Sequence, residues 1–135
     1  NGDLLLNMRN YTDDRLRKLS LSKDQGISWG DIFSDESLIE PICQASMINI
    51  QRPFKKELLA FSNPNSKNAR EKMTIQFSLD QAETWSQKKL IHEGPSAYSN
   101  LVQLSNNEIA CLFEGGKKSA YEGIAFKKIN IKDIK

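Results

Sequence analysis

The chain has 135 residues and a formal net charge of +2, with 39% hydrophobic and 27% charged residues. This length suits one ordinary domain, and the composition is that of a globular protein, not a disordered one. The charge is too small and too evenly spread to indicate nucleic-acid binding. No apolar run approaches the ~20 residues that a membrane span needs.

Short apolar runs between turn residues predict β-strands along the whole chain. In chain order these runs cover residues 4–8, 15–21, 45–50, 58–61, 72–78, 89–92, the residues that follow Tyr98, 109–113 and 120–131. The stretch 33–41 is polar and is predicted to be irregular, and no amphipathic helix is evident. About nine short strands without helices favour a sandwich, a barrel or a propeller.

The last two strands before the final run form a candidate hairpin with polar groups at its open end. Tyr98 follows a predicted turn at Gly94-Pro95, and Glu114 ends the next apolar run. Residues 105–107, Ser-Asn-Asn, read as the connection between the strands. An antiparallel hairpin would therefore bring Tyr98 and Glu114 close together.

The two cysteines, Cys43 and Cys111, each lie in an apolar, strand-like run. This placement favours two buried thiols over a disulfide, although a disulfide stays open at this point. No metal site is indicated, because His92 is the only histidine and has no cysteine or carboxylate cluster beside it.

An octapeptide pattern occurs twice, each time after an alternating strand. Residues 22–29 read Ser-x-Asp-x-Gly-x-Ser-Trp, and residues 78–85 read Ser-x-Asp-x-Ala-x-Thr-Trp. The Asp side chain can accept hydrogen bonds from its own loop, and Gly26 supplies a positive φ. Ala82, at the matching position, would be strained there. The repeat predicts two self-contained hairpin turns in a modular sheet architecture.

This octapeptide resembles the Asp-box of the sialidases (neuraminidases), and other segments resemble sialidase motifs in the same order. The matching segments are 1–9 (Asn-Gly-Asp-Leu-Leu-Leu-Asn-Met-Arg), 40–46 (Glu-Pro-Ile-Cys-Gln-Ala-Ser), 59–64 with 69–75, 97–101 (Ala-Tyr-Ser-Asn-Leu) and 112–114 (Leu-Phe-Glu). The resemblance covers essentially the whole chain.

The resemblance implies an all-β fold, a six-bladed β-propeller of four-stranded antiparallel blades. Residues 1–135 would supply about the last two to three blades, as the C-terminal portion of the catalytic domain. The implied activity is that of an exo-α-sialidase, a retaining glycosidase that hydrolyses terminal sialic acid from glycoconjugates. The chain opens on a turn-like Asn1-Gly2-Asp3, so we expect a strand to precede it.

The resemblance also implies a role for each candidate site residue. Tyr98 would be the nucleophile, since a neutral phenol avoids repulsion from the substrate carboxylate. Arg9 and Arg70 would clamp that carboxylate, because a guanidinium pairs bidentately with it. Glu114 would orient the family's first arginine. Arg15 and Arg17 alternate with leucines, which predicts a solvated face for both.

Several groups that sialidases use have no counterpart in these residues. The first arginine, the aspartate acid/base and the glutamate that activates the tyrosine would all precede this segment, and Glu40 is not assigned to any of these roles. We therefore expect the chain alone to be inactive and to need the remaining N-terminal blades as its partner. A sialylated glycan is the implied substrate, no cofactor is implied, and a secreted, cell-surface or periplasmic location is favoured.

The alternative is a non-catalytic glycan-binding or purely structural Asp-box module. Such a module would keep both turns without bringing Arg9, Arg70 and Tyr98 to one place. The distance between these three side chains therefore separates the alternatives.

Overall fold

A computed structural model describes residues 2–53 and 56–134, and these residues form nine β-strands. The strands are β1 Leu4–Met8, β2 Leu16–Ser22, β3 Phe33–Ile39, β4 Ser46–Ile50, β5 Leu58–Pro64, β6 Glu71–Ser78, β7 Gln87–Ser105, β8 Glu108–Gly115 and β9 Ile124–Asn130. The described part of the chain contains no helix that is long and apolar enough to cross a membrane. The predicted turn at Asn1-Gly2-Asp3 lies partly outside the described residues, because Asn1 is not among them.

The strands form three consecutive sheets in which all neighbours are antiparallel. The first sheet has the order β1-β2-β3, and the other strands run in sequence order from β4 to β9. The first part of β7 pairs with β6 as far as Pro95, and the second part pairs with β8 from Ser96 onward. We therefore call β4 to the first part of β7 the second sheet, and the second part of β7 to β9 the third sheet.

The predicted Gly94-Pro95 turn and the separate short strand at 89–92 were wrong, because β7 runs unbroken through both. Pro95 lies opposite Glu71, at the point where β7 changes partners. A Cβ on Gly94 would come within 3.1 Å of the Gly116 carbonyl oxygen, so glycine here allows a close backbone approach. The Gly-Pro pair marks the passage between two sheets rather than a reversal.

The stretch 33–41 was predicted to be irregular, and this was also wrong. Phe33–Ile39 is β3, which pairs with β2 through a register that shifts between Leu16 and Arg17. The chain enters β3 from the first octapeptide turn, which returns it alongside β2. Backbone pairing of this kind overrides a weak side-chain pattern.

Both octapeptide turns make the hydrogen bonds predicted from their sequences. Asp24 accepts from the Ser28 backbone N–H at 2.9 Å and from the Ser28 hydroxyl at 2.5 Å. Asp80 accepts from the backbone N–H and the hydroxyl of Thr84 at the same two distances. These bonds to the ionised carboxylates, the hydroxyl donors first, lower the pKa of both Asp24 and Asp80 to about 2.

The predicted backbone conformation at the fifth position of the octapeptide is confirmed in both copies. Gly26 has a φ of 91° and Ala82 a φ of 72°. Each backbone N–H is held by the serine at the start of its turn, Ser22 at 2.7 Å and Ser78 at 2.9 Å. Ala82 therefore occupies a left-handed conformation that favours glycine.

The apolar core lies between successive sheets. The largest buried cluster joins the second and third sheets, and its members include Met73, Ile75, Phe77, Ile109 and Phe113. A smaller cluster joins the first and second sheets, where the Phe61 and Trp85 rings pack with centroids 5.8 Å apart.

Both cysteines are buried and free, as predicted. Burial raises the pKa of the Cys111 thiol to about 11, as expected for a thiol that acts as a small apolar core residue.

Candidate active site

Three side chains from three different sheets meet at one point of the fold. Arg9 follows β1, Arg70 precedes β6, and Tyr98 lies in the second part of β7. Arg9 Nη1 donates to Tyr98 Oη at 3.3 Å, although the two residues are 89 positions apart in the chain. The guanidinium carbon of Arg70 lies 5.7 Å from the centroid of the Tyr98 ring. The fold thus places two cations and one phenol side by side.

A β-bulge turns Tyr98 out of the sheet. Ser96 pairs with Gly115 and Ser99 pairs with Phe113, so two residues of β7 lie opposite Glu114 alone. The extra residue disrupts the ladder locally and redirects a side chain. Tyr98 is 43% exposed, whereas Ser96 and Ser99 are buried.

Glu114 supports this bulge from the neighbouring strand. Its Oε2 atom accepts a hydrogen bond from the Tyr98 backbone N–H at 3.1 Å. The carboxylate thus replaces the ladder partner that the bulge removes. Glu114 contacts the backbone of Tyr98, and its expected role toward a first arginine stays a prediction.

Two further tyrosines, for which the sequence predicts no role, hold the arginines. Arg9 Nη2 donates to Tyr11 Oη at 2.9 Å, and Arg70 Nη1 donates to Tyr121 Oη at 2.7 Å. The chain has three tyrosines, and all three hydroxyls accept from one of these arginines. Tyr11 and Tyr121 lie in loops without an alternating pattern, and the two-residue spacing from Arg9 to Tyr11 is the only sequence signal.

Neither Arg9 nor Arg70 has a carboxylate partner among residues 2–53 and 56–134. The ion pairs in these ranges are Arg17 with Glu40 and Lys18 with Asp14. The hydrogen bonds of Arg9 and Arg70 go to tyrosine hydroxyls and, from Arg70 Nη2, to the carbonyl oxygen of Ile42 at 3.0 Å. The guanidinium groups of Arg9 and Arg70 therefore form no ion pair within the described residues, which leaves them available to an anionic ligand.

The prediction that Arg17 faces solvent was wrong. Arg17 is 3% exposed and Glu40 is 1% exposed, and their side chains form an ion pair at 2.6 Å. Burial lowers the pKa of Arg17, and the nearby Glu40 carboxylate opposes that shift. The alternation of basic and apolar residues in β2 cannot show this, because the partner is 23 positions away. Arg15 lies just before β2 and is partly exposed, so the prediction of a solvated face is not overturned for it.

A shallow pocket of about 370 Å³ opens beside Tyr98 on the outer face of the third sheet. Gln44, Asn100 and Glu114 contribute its polar groups, and Leu112 and Ile124 contribute apolar surface. A larger pocket of about 460 Å³ lies between the first and second sheets, and none of Arg9, Arg70 and Tyr98 lines it. We take the pocket beside Tyr98 as the candidate site, because Tyr98 lines it and contacts both Arg9 and Arg70, although neither arginine lines the pocket itself.

Comparison with known proteins finds sialidases among the sequences that are similar to this chain. A family model described as a BNR repeat-like domain matches residues 1–111. A sialidase of Bacteroides fragilis is 35% identical over 140 residues, an alignment that covers 98% of this chain and 25% of that protein. A sialidase of Micromonospora viridifaciens is 32% identical over 138 residues, covering 96% of this chain and 20% of the relative. The chain thus spans about a quarter or less of these curated relatives.

The solved structures that match include sialidases. The structure of the Hadza microbial sialidase Hz136 superposes with a TM-score of 0.83 at 33% sequence identity, covering 97% of this chain and 26% of that one. The predicted all-β, sialidase-type β-propeller is thereby confirmed as the fold class. The three sheets described above form one part of such a propeller.

Proposed function

Since this chain belongs to the family of BNR repeat-like domains and its relatives are sialidases, we propose that it supplies part of the active site of a retaining exo-α-sialidase. One observation carries the proposal. Two guanidinium groups, which have no carboxylate partner among the described residues, contact Tyr98, Arg9 at its hydroxyl and Arg70 at its ring. A terminal sialic acid presents a carboxylate and a reactive anomeric carbon on adjacent atoms, and this arrangement matches both.

Arg9 and Arg70 would bind the substrate carboxylate. Guanidinium groups form paired, charge-assisted hydrogen bonds with carboxylates. Tyr11 and Tyr121 hold the two side chains from the flanks without neutralising them, because a phenol hydroxyl is uncharged. The positive charge therefore stays available for an anionic sugar.

Tyr98 would attack the anomeric carbon. Its Oη atom forms a bond to that carbon while the bond from the carbon to the leaving glycosidic oxygen breaks. The phenolic proton passes to a carboxylate, the leaving oxygen takes a proton from an acid, and water then hydrolyses the tyrosyl intermediate with net retention. The Arg9 hydrogen bond to Oη would stabilise negative charge on that oxygen.

The proton-transfer groups would come from residues outside this chain. Among the described residues, the hydrogen bond to Tyr98 Oη comes from Arg9, and no carboxylate contacts that oxygen. The chain alone would therefore bind weakly and would not turn over substrate. The intact propeller would supply the base, the acid and a further arginine.

The test uses the intact protein that contains this chain, a fluorogenic sialoside and an unsaturated sialic acid analogue. Tyr98→Phe removes one oxygen atom, so we expect kcat to fall by at least about 10²-fold while analogue affinity changes little. Arg70→Ala should weaken analogue binding by about 10²-fold, because it removes a charged hydrogen-bonding partner.

Arg52→Ala is the matched control for Arg70→Ala. Arg52 is also half-buried and also donates to backbone carbonyls, at Ile134 and Lys56, away from Tyr98. Its substitution should leave kcat and analogue affinity unchanged. Analogue binding without turnover by the unmodified protein would instead identify a glycan-binding module, and the absence of both would refute the proposal.

A further inference from the structure

The segment Glu40–Ser46 connects the first sheet to the second, from the end of β3 to the first residue of β4. We propose that this positioning segment fixes the relative placement of Arg9, Arg70 and Tyr98. The inference rests on the proposed function, because it assigns the segment a role in holding the groups that bind and attack the substrate. Alternate residues of the segment each hold one of the three groups.

Glu40 fixes the backbone next to Arg9. Its Oε1 atom accepts from the Asn10 backbone N–H at 3.2 Å and from the Asn10 side-chain amide at 3.0 Å. Its Oε2 atom pairs with Arg17, which in turn donates to the side-chain and backbone oxygens of Asn7 at 2.6 and 3.2 Å. The chain is therefore held on both sides of Arg9, through a carboxylate that is 1% exposed.

Ile42 holds Arg70 directly. Its carbonyl oxygen accepts from Arg70 Nη2 at 3.0 Å. The residue has a φ of 56°, which is a rare and strained conformation for a β-branched side chain. The next carbonyl, that of Cys43, accepts from Arg17 Nη1 at 2.8 Å, so the same buried arginine holds the strained turn in place.

Gln44 fixes the backbone next to Tyr98. Its Oε1 atom accepts from the Ser99 backbone N–H at 2.8 Å, and its Nε2 atom donates to the Ser99 carbonyl oxygen at 2.9 Å. This pair of hydrogen bonds takes the place of a strand partner for Ser99, beside the bulge. Ser46 continues it, because its hydroxyl accepts from the Leu101 backbone N–H at 3.0 Å.

A single short segment therefore reaches all three groups, which come from three sheets. Sheets that pack through apolar contacts can shift slightly without losing those contacts, whereas hydrogen bonds of this length cannot. A misplacement of about 1 Å at a reacting group can lower a rate by roughly 10²-fold. We infer that Glu40 and Gln44 are positioning residues for the arginine clamp and for the nucleophile, respectively.

The experiment substitutes one residue at each end of the segment in the intact protein and measures kcat and analogue binding for each variant. Gln44→Leu should lower kcat by at least about tenfold and leave the dissociation constant of an unsaturated sialic acid analogue within about twofold. Glu40→Gln should raise that dissociation constant by at least about tenfold, because the backbone that carries Arg9 is released. A purely structural role would not lower kcat alone in one variant and weaken analogue binding in the other.

Leu38→Ala is the matched control. Leu38 is fully buried in the cluster between the first and second sheets, two residues before Glu40. Its truncation should lower the melting temperature without changing kcat or analogue affinity in the folded protein. If Gln44→Leu and Glu40→Gln, like Leu38→Ala, change only the melting temperature, the positioning role is refuted. If Glu40→Gln does not fold, the kcat and analogue affinity of Gln44→Leu decide the outcome.

Crystal structures of the variants distinguish failure of this inference from failure of the proposed function. If the unmodified protein neither binds nor cleaves sialosides, the proposed function fails. Positioning is then judged by the Arg9 Nη1–Tyr98 Oη distance in both variants, together with the Arg70 Nη2–Ile42 O distance. Unchanged distances in both variants would overturn the inference, and a displacement of the predicted group in each would support it.

Discussion

The two Asp-box turns and the positioning segment are both short connections, but they obtain their hydrogen bonds in opposite ways. Asp24 bonds to Ser28, four positions away in the chain. Glu40, Ile42 and Gln44 bond to residues that are 30, 28 and 55 positions away. A turn of the first kind is complete once eight residues are present, whereas the segment has no partners until three sheets have packed.

This difference predicts how much the loss of one hydrogen bond should affect the protein in each kind of connection. Loss of a bond in an Asp-box turn leaves backbone groups that water can reach, because the turn is at the surface. Loss of a bond in the positioning segment leaves a buried charge or displaces a site residue.

The largest effect is expected for Arg17→Met. Removing one partner leaves the Glu40 carboxylate buried and uncompensated, which costs about 3–5 kcal/mol of unfolding free energy. The double substitution Arg17→Met with Glu40→Leu should cost clearly less, because it removes both charges. Urea unfolding of the intact protein measures both variants, and equal losses would show that the ion pair is not the cause.

A smaller effect is expected for Tyr121→Phe. The substitution removes only the hydroxyl that accepts from Arg70 at 2.7 Å. We expect an affinity for the sialic acid analogue that is lower by about 0.5–1.5 kcal/mol, or roughly two- to tenfold, with the melting temperature unchanged. Calorimetric titration measures the affinity, and an unchanged value would show that Tyr121 does not orient Arg70.

The two Asp-box turns offer a reciprocal exchange at their fifth positions. Ala82→Gly should stabilise the protein by up to about 1 kcal/mol, because the positive φ of 72° no longer opposes a Cβ. Gly26→Ala should destabilise by a similar amount, since its φ is 91° and its new Cβ would meet Leu4 Cδ1 at an ordinary 3.4 Å. Thermal unfolding that shifts both variants in the same direction would contradict this account.

The smallest effect is expected from the pH dependence of the same turns, because their carboxylates are exposed. Folding lowers the pKa of Asp24 and Asp80 from 3.8 to about 2. Their contribution to stability is therefore fully present above about pH 4 and is lost as the pH falls through about 2. Melting temperatures between pH 5 and pH 2 should fall less steeply for Asp24→Asn with Asp80→Asn than for the unmodified protein, and identical slopes would exclude these groups.

Local patterns predicted much of the fold and part of the site. The strand 4–8 agrees with β1, and the octapeptides predicted their own bonds and the strain at Ala82. Strand β3 was not predicted, because it forms through pairing with β2. The unbroken β7 was not predicted, because it depends on a change of strand partner at Pro95. Arg17 escaped for the same reason, since its partner Glu40 lies in another element.

By itself, the sequence determined the elements whose partners lie within a few residues, such as the Asp-box turns, and it predicted most strands and the candidate site residues. Only the tertiary structure decided that Arg9 and Arg70 flank Tyr98 with no carboxylate partner among the described residues, and that one strained segment touches all three neighbourhoods. The physical reason is the range of the interactions. Turn bonds form between neighbours in the chain, whereas the site exists only where packed sheets bring distant residues within hydrogen-bonding distance.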